Sequence, residues 1–262
     1  MSTLNIYIDG TWLFRACGGG AALAGKTDKP DSNFSLNFER MNDSLLAHVT
    51  DVDPKCDSLG DSYLATSIFT LPDDLEDWPD NHSEISQDQI DRVRRGAHAR
   101  ESFLANAVSA GYKTDAVFRP LLRAYMIQKL ADGKFQEKQV DSSVVALLVK
   151  NAITKPDDYH VVITGDADVI PAIRVAYPDY TKNVVIATTH PDQLQSNHRQ
   201  ASYSLLDFQF DVPTYFLAQN AKNIIDGEHV YDCAHCAKVF TRLKPIPTRA
   251  QPCCFSCHKQ RE

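Results

Sequence analysis

Nothing in this chain approaches the roughly 20 consecutive apolar residues that a membrane-spanning helix needs. Its first residues also lack the basic, then apolar, then small-residue pattern of a secretory signal. Both absences argue against a membrane location and set the expectation of a cytoplasmic protein. An excess of positive charge is missing too. Lys and Arg number 27 against 34 Asp and Glu, a net charge of −7. That argues against a protein coated in nucleic-acid-binding charge, but not against a nuclease, because net charge does not say where basic or acidic groups cluster. Internal repeats and low-complexity tracts are absent. Cysteine is nearly absent from most of the chain: Cys17 and Cys56 stand alone, and the other five of seven fall within the last thirty residues. An odd total in a reducing compartment argues against a disulfide framework.

What is present is ordinary in amount and specific in order. The 262 residues are 43% hydrophobic and 23% charged, enough for one large α/β domain, or a medium domain with a small appendage. Residues 3–9, 61–72, 113–122, 159–166 and 182–188 read as strands. Residues 11–17, 36–49, 86–110, 140–153, 168–178 and 192–200 read as helices, from apolar residues recurring at helical spacing. The stretch 18–35 reads as a small, polar loop and 72–84 as an acidic one. "IQKLADGKFQEKQ" (127–139) reads as a hairpin turning at Asp132-Gly133. Strands alternating with helices predict βαβ units, a mostly parallel central sheet and helices on both of its faces.

Two of the predicted strands run into aspartate. "LNIYID" ends on Asp9, and "VVITGDAD" delivers Asp166 and Asp168. In a parallel sheet these strand ends share one edge, the edge where open α/β sheets place ligands. Asp141 stands near the start of the 140–153 helix, where the helix dipole favours a negative group. Any one of these aspartates alone reads as a cap or loop residue; the conjunction points further. Several carboxylates in one small space repel each other unless a cation intervenes. Mg²⁺ or Mn²⁺ takes oxygen ligands and retains waters, which suits phosphodiester hydrolysis.

"IYIDGTW", "KQVD" leading into a helix, and "VVITGDADVIP" together resemble the NYN family of PIN-like metal-dependent ribonucleases. The resemblance covers roughly residues 1–218 and extends to "AVFRPL", "NVVIAT" and "LQSNHRQASYSLLDF". It implies a PIN-like, Rossmannoid three-layer fold. It also implies that Asp9, Asp141, Asp166 and Asp168 form the Mg²⁺ or Mn²⁺ site, with Lys138 close enough to contact phosphate. Ser196 and Asp207 are weaker correspondences. Where the family often has asparagine three residues after its first aspartate, this chain has Trp12. An indole donates one hydrogen bond or stacks on a base, whereas asparagine would orient the carboxylate or a water. A second enzyme class, the haloacid-dehalogenase-like phosphatases, shares an aspartate-glycine-threonine turn after a strand. That chemistry needs a nucleophilic aspartate at the position held here by Tyr7.

The cysteine tail carries a separate signal. Cys233-Ala-His-Cys236 and Cys254-Phe-Ser-Cys257 are two C-x₂-C knuckles seventeen residues apart, the spacing of a Cys₄ zinc site. Four thiolates would close a structural Zn²⁺ site with no open position. Cys253 could replace Cys254, and His235 and His258 are further candidates. Lys238, Arg242, Lys244 and Arg249, with Phe240 and Phe255, make the zinc ribbon either a nucleic-acid-binding module or a structural or dimerisation element.

Elsewhere, Arg92, Arg94, Arg95 and Arg100 read as a solvated helix face. Arg119, Arg123, Lys129, Lys134 and Lys138 follow a strand that should end at the active edge, and are expected to line a phosphate-binding groove. The expectation is therefore an α/β nuclease domain over 1–218 and a zinc ribbon over 229–262, joined through "AQNAKNIIDGE". The expected activity is Mg²⁺- or Mn²⁺-dependent hydrolysis of RNA, with single-stranded DNA as an alternative substrate. A second copy of the chain or another protein remains open as a partner. The competing expectation is an RNA-binding or assembly protein whose site is degenerate at Trp12.

Overall fold

The computed structural model describes residues 2–17, 35–131, 139–188, 212–217, 219–227, 229–235, 239–242 and 244–259. All but Ser35 of the expected loop at 18–35, the Asp132-Gly133 turn, the 192–200 helix, Ser196 and Asp207 lie outside these residues.

The most apolar stretch of the amino terminus becomes the centre of the sheet. Strand β1 (Ser2–Asp9) has Leu4, Ile6, Tyr7 and Ile8 fully buried. A strand buried on both faces needs a parallel partner on each side, and β1 has two. These are β3 (Cys56–Ser67) and β5 (Tyr159–Ile163). Outside β3 lies β4 (Val117–Phe118); outside β5 lie β6 (Val184–Thr188) and then β7 (Thr214–Phe216). Every neighbouring pair in the order β4-β3-β1-β5-β6-β7 is parallel. The chain thus builds outward from β1 to one edge, then crosses back and starts again beside β1 with β5. This is the doubly wound arrangement, and its reversal point lies between the carboxyl ends of β1 and β5.

Side chains alternate across the sheet with period two. Leu4, Ile6, Ile8, Val161, Ile163, Val185 and Ala187 pack on one face. There they meet α2 (Phe38–Val52) through Met41, Leu45 and Val49, and α4 (Gln87–Ser109) through Leu104 and Ala107. Tyr7, Val162, Val184 and Ile186 face the other way. That face is covered by Val140, Val144, Leu148 and Ala152 of α6 (Gln139–Thr154), and by Ile170, Ile173 and Ala176 of α7 (Ile170–Ala176). The three-layer α/β architecture expected from the alternation of elements is therefore present.

Three local expectations are corrected. Residues 127–131 do not open a hairpin but belong to α5 (Ala124–Ala131). Ile127 and Leu130 stand one turn apart and pack with Trp78, Ile90 and Leu122 in a satellite core, so helical periodicity won over the turn signal. The 113–122 strand shrinks to Val117–Phe118, flanked by isolated bridges at Lys113 and Leu121. Within the acidic loop, Leu75 and Trp78 are buried at a short 3₁₀ turn and at α3 (Trp78–Asn81).

The expected joining segment is also more than a tether. In α8 (Ala221–Ile224) and β8 (Ile225–Asp226), Ala221, Ile224 and Ile225 are fully buried in the main core. Strand β8 pairs antiparallel with β2 (Ser35–Leu36). Arg40 donates to the carbonyls of Lys222 (2.8 Å) and Ile225 (3.0 Å). Two residues later the chain enters β9 (His229–Asp232), which pairs antiparallel with β10 (Val239–Arg242). A short helix, α9 (Phe255–Lys259), ends the described chain. No helix among the described residues is long and apolar enough to cross a membrane.

Candidate metal centre

The two aspartate-ended strands meet at the reversal point. Strand β1 ends on Asp9; β5 ends at Ile163 and is followed by Thr164-Gly165-Asp166. Both turns are glycine-dependent. A Cβ at Gly10 would stand 2.8 Å from the Ala65 carbonyl oxygen, so only glycine lets α1 (Gly10–Cys17) start so close to β3. A Cβ at Gly165 would collide with the Trp12 indole.

Three carboxylates come together here. Asp141, in the first turn of α6, and Asp166 and Asp168, after β5, each present an oxygen, and the three oxygens lie within 4.8 Å of one another. Asp166 is held by its own turn: its Oδ1 accepts the Asp168 N–H at 3.0 Å. Three carboxylates, one of them in the first turn of a helix, thus form one small acidic mouth.

Asp9 lies beneath that group rather than within it. It is 3% exposed, and both of its oxygens are engaged. Oδ1 accepts the Trp12 N–H (2.9 Å) and Oδ2 accepts the Thr164 hydroxyl (3.1 Å). Burial pushes the Asp9 carboxyl above its ordinary range, and the neighbouring Asp166 charge adds to this; the two hydrogen bonds pull the other way. Thr164 links the layers. Its oxygen accepts the Asp166 N–H at 3.0 Å while its hydrogen goes to Asp9, so one hydroxyl ties the buried carboxylate to the Asp166 backbone. Thr164 was not singled out in the sequence reading. Its only signal was its place between a buried strand and Gly-Asp.

The acidic group fits a hard divalent cation. Around Mg²⁺, at roughly 2.1 Å per oxygen, ligand atoms sit roughly 3–4 Å apart, inside the observed limit. The basic residues are arranged less as expected. Arg119, at the end of β4, forms a two-armed pair with Glu101 of α4, one arm at 3.0 Å. Lys129 lies 5.5 Å from the Tyr125 ring centre. Lys134 and Lys138 fall outside the described residues. Arg94 pairs with Glu76, and the Arg100 guanidinium lies 4.7 Å over the Phe14 ring, so Arg100 is not part of a solvated face. Trp12 is half-buried, with its indole against Gly165 and the main core.

The phosphatase alternative fails at Tyr7. That residue is fully buried mid-sheet. The His160 Nε2 donates to the Lys155 carbonyl (3.0 Å), which leaves Nδ1 to accept the Tyr7 hydroxyl (2.9 Å). This network holds the Tyr7 hydroxyl inside the sheet, and a phenol is no carboxylate nucleophile.

In the tail, Cys233, Cys254 and Cys257 bring their sulfurs within 4.8 Å of one another. Cys253 is not in this group; its Sγ lies 3.6 Å from the Cys254 carbonyl oxygen. Cys236 lies outside the described residues, and His235 and His258 are exposed and not grouped with the thiols.

The chain matches no protein-family model, no curated protein and no solved structure.

Proposed function

We propose that this protein is a metal-dependent ribonuclease that hydrolyses RNA phosphodiester bonds at the mouth formed by Asp141, Asp166 and Asp168. The observation that carries the reading is the convergence of these three carboxylates where the sheet order reverses, directly above the buried Asp9. The arrangement brings three carboxylate oxygens within reach of a single divalent ion. The resemblance of "IYIDGTW" and "VVITGDADVIP" to PIN-like ribonucleases supports phosphodiester chemistry over other uses of a divalent ion.

When bound, Mg²⁺ or Mn²⁺ would neutralise charge on the scissile phosphate and make a coordinated water more acidic. Asp141, Asp166 and Asp168 would hold that ion. Asp9 and Thr164 are positioning residues. Through the Thr164 hydroxyl they fix the backbone of Asp166. The Trp12 indole, which holds the Gly165 turn in place, offers an edge for a base to stack against. That same bulk beside the mouth favours the second reading, an RNA-binding protein with little or no turnover.

The test is direct. Purified protein is incubated with end-labelled single-stranded RNA, duplex RNA and single-stranded DNA, in Mn²⁺, Mg²⁺ or EDTA, beside Asp166→Asn. The expected result is RNA cleavage that needs the divalent ion and falls by more than about 100-fold in Asp166→Asn, beyond the usual loss for an outer residue. Cleavage that survives the substitution, or RNA that shifts in a gel but stays intact with every metal, would overturn the enzyme reading. The second of these outcomes selects the binding protein.

A further inference from the structure

The thiol cluster of the tail is chemically unlike the acidic mouth, and it stands independently of the ribonuclease reading. Cys233 follows β9, whereas Cys254 and Cys257 flank the start of α9, yet their sulfurs lie within 4.8 Å of one another. No disulfide joins them among the described residues. In a thiolate tetrahedron around Zn²⁺, with bonds of roughly 2.3 Å, sulfurs sit roughly 3.8 Å apart. A second contact points the same way. The Cys254 backbone N–H is aimed at the Cys233 sulfur at 3.4 Å, a donor placed to stabilise negative charge on that sulfur.

The size of the local core adds a further argument. Among the described residues, the buried apolar side chains of this module are Cys233, Phe240 and Cys254, with Tyr231, Ile246 and Cys257 partly buried against them. Half of these six residues are thiols of the cluster. A core this small does not hold a fold in water by apolar burial alone, so another stabilising term is needed. A metal bound in the folded state and not in the unfolded one supplies it.

We propose that Cys233, Cys254 and Cys257 bind a structural zinc ion and that this ion is what folds the carboxyl-terminal module. Three or four soft thiolates select zinc over Mg²⁺ and Mn²⁺, so the protein sorts two kinds of metal into two sites by donor chemistry. The module is joined to the main core closely: only residues 227 and 228 separate β8 from β9, and Val230 packs against the main core. The zinc-bound hairpin is thus a fixed extension of the sheet domain, not a loosely tethered knob.

The experiment measures metal on the full-length chain purified without chelator. About one zinc per chain is expected, and replacement by Co²⁺ should give the strong near-ultraviolet absorption of thiolate-to-cobalt charge transfer. Cys254→Ser and Cys233→Ser should each lose most of the zinc. Cys253→Ser and Asp166→Asn should keep it. Wild-type protein without zinc and without the cobalt band would overturn the proposal, as would full zinc in Cys254→Ser or its loss in Cys253→Ser. Should Cys254→Ser fail to fold, the cobalt spectra of the wild type and of Cys253→Ser still decide. Loss of RNA cleavage with zinc intact in Asp166→Asn would separate the two sites.

Discussion

The two ends of the central sheet treat carboxylates in opposite ways. At the amino-terminal half, acids meet cations and donors. Asp61 lies between the ammonium groups of Lys113 (2.6 Å) and Lys155 (2.9 Å). Asp158 accepts the Thr3 N–H (2.9 Å), the Thr3 hydroxyl (2.9 Å) and the Asn5 amide (3.1 Å). At the carboxyl end, Asp141, Asp166 and Asp168 meet one another, over a buried fourth acid. One end pairs its acids with cations and donors, and the other gathers three carboxylate oxygens within reach of one cation.

The largest expected effects lie at the acidic end. Asp166→Asn keeps an oxygen to accept the Asp168 N–H but removes one negative charge. Besides losing cleavage, this variant should be as stable as the wild type or more stable in EDTA, and should gain less from added Mn²⁺. Thermal unfolding with and without the ion reads both. If Asp166→Asn were clearly destabilised in EDTA, the acidic mouth would be a structural network like the other end, and the contrast would collapse. Next in size is Thr164→Val, which keeps shape and removes the hydroxyl shared by Asp9 and Asp166. Activity and Mn²⁺ affinity should fall by about 10- to 100-fold, the usual loss for a residue that orients ligands. Unchanged Mn²⁺ affinity in a folded Thr164→Val protein would show that the two layers are not coupled.

Much of the acidic end was legible in the sequence. Leu4–Ile8 and Tyr159–Ile163 are short runs with no polar face to speak of, so they had to be strands buried on both sides. Strands of that kind in a parallel sheet send their following residues to one edge, which put Asp9, Asp166 and Asp168 together. The depth of Asp9 was not legible. It depends on the Thr164 hydroxyl and the Trp12 N–H, which the strand pattern does not report. Nor was the role of 218–228. "NII" looks like any short apolar group in a linker, and its burial depends on pairing with Ser35–Leu36 nearly two hundred residues earlier. Over its described first residues, 127–131, the expected hairpin gives way to helix for a related reason: Ile127 and Leu130 have partners in Trp78 and Ile90 that only the tertiary structure reveals. Arg119 was placed at the correct edge, but Glu101, eighteen residues away on α4, already holds it.

At the opposite end the effects are on stability alone. Asp158→Ala strips the acceptor from the Thr3 N–H, the Thr3 hydroxyl and the Asn5 amide, and Asn5 is fully buried. Groups left without partners in that way cost about 1–3 kcal/mol. Urea unfolding should show the loss, while cleavage under native conditions stays within about twofold. A loss of activity matching that of Thr164→Val would mean that the two ends are not separate.

The smallest effect gives the sharpest sign. The Lys113 and Lys155 ammonium groups beside Asp61 hold its carboxyl well below the ordinary range, at about 2 against 3.8. A carboxyl whose folded-state pKa is depressed adds stability above its unfolded pKa and loses it as the folded pKa is approached. The contribution of Asp61 should therefore be complete at neutral pH, decline from about pH 4, and be gone near pH 2. Lys113 and Lys155 are partly exposed, so solvent and salt limit the contribution to about 1 kcal/mol or less. Asp61→Asn should thus be slightly less stable than the wild type at pH 7. The two unfolding curves should converge as the pH falls from 4 to 2, and the gap at pH 7 should narrow in 1 M salt. A gap that widens toward acid would mean that Asp61 is protonated more easily in the folded protein than in the unfolded chain, and the ion pairs that distinguish this end of the sheet would not be what holds it.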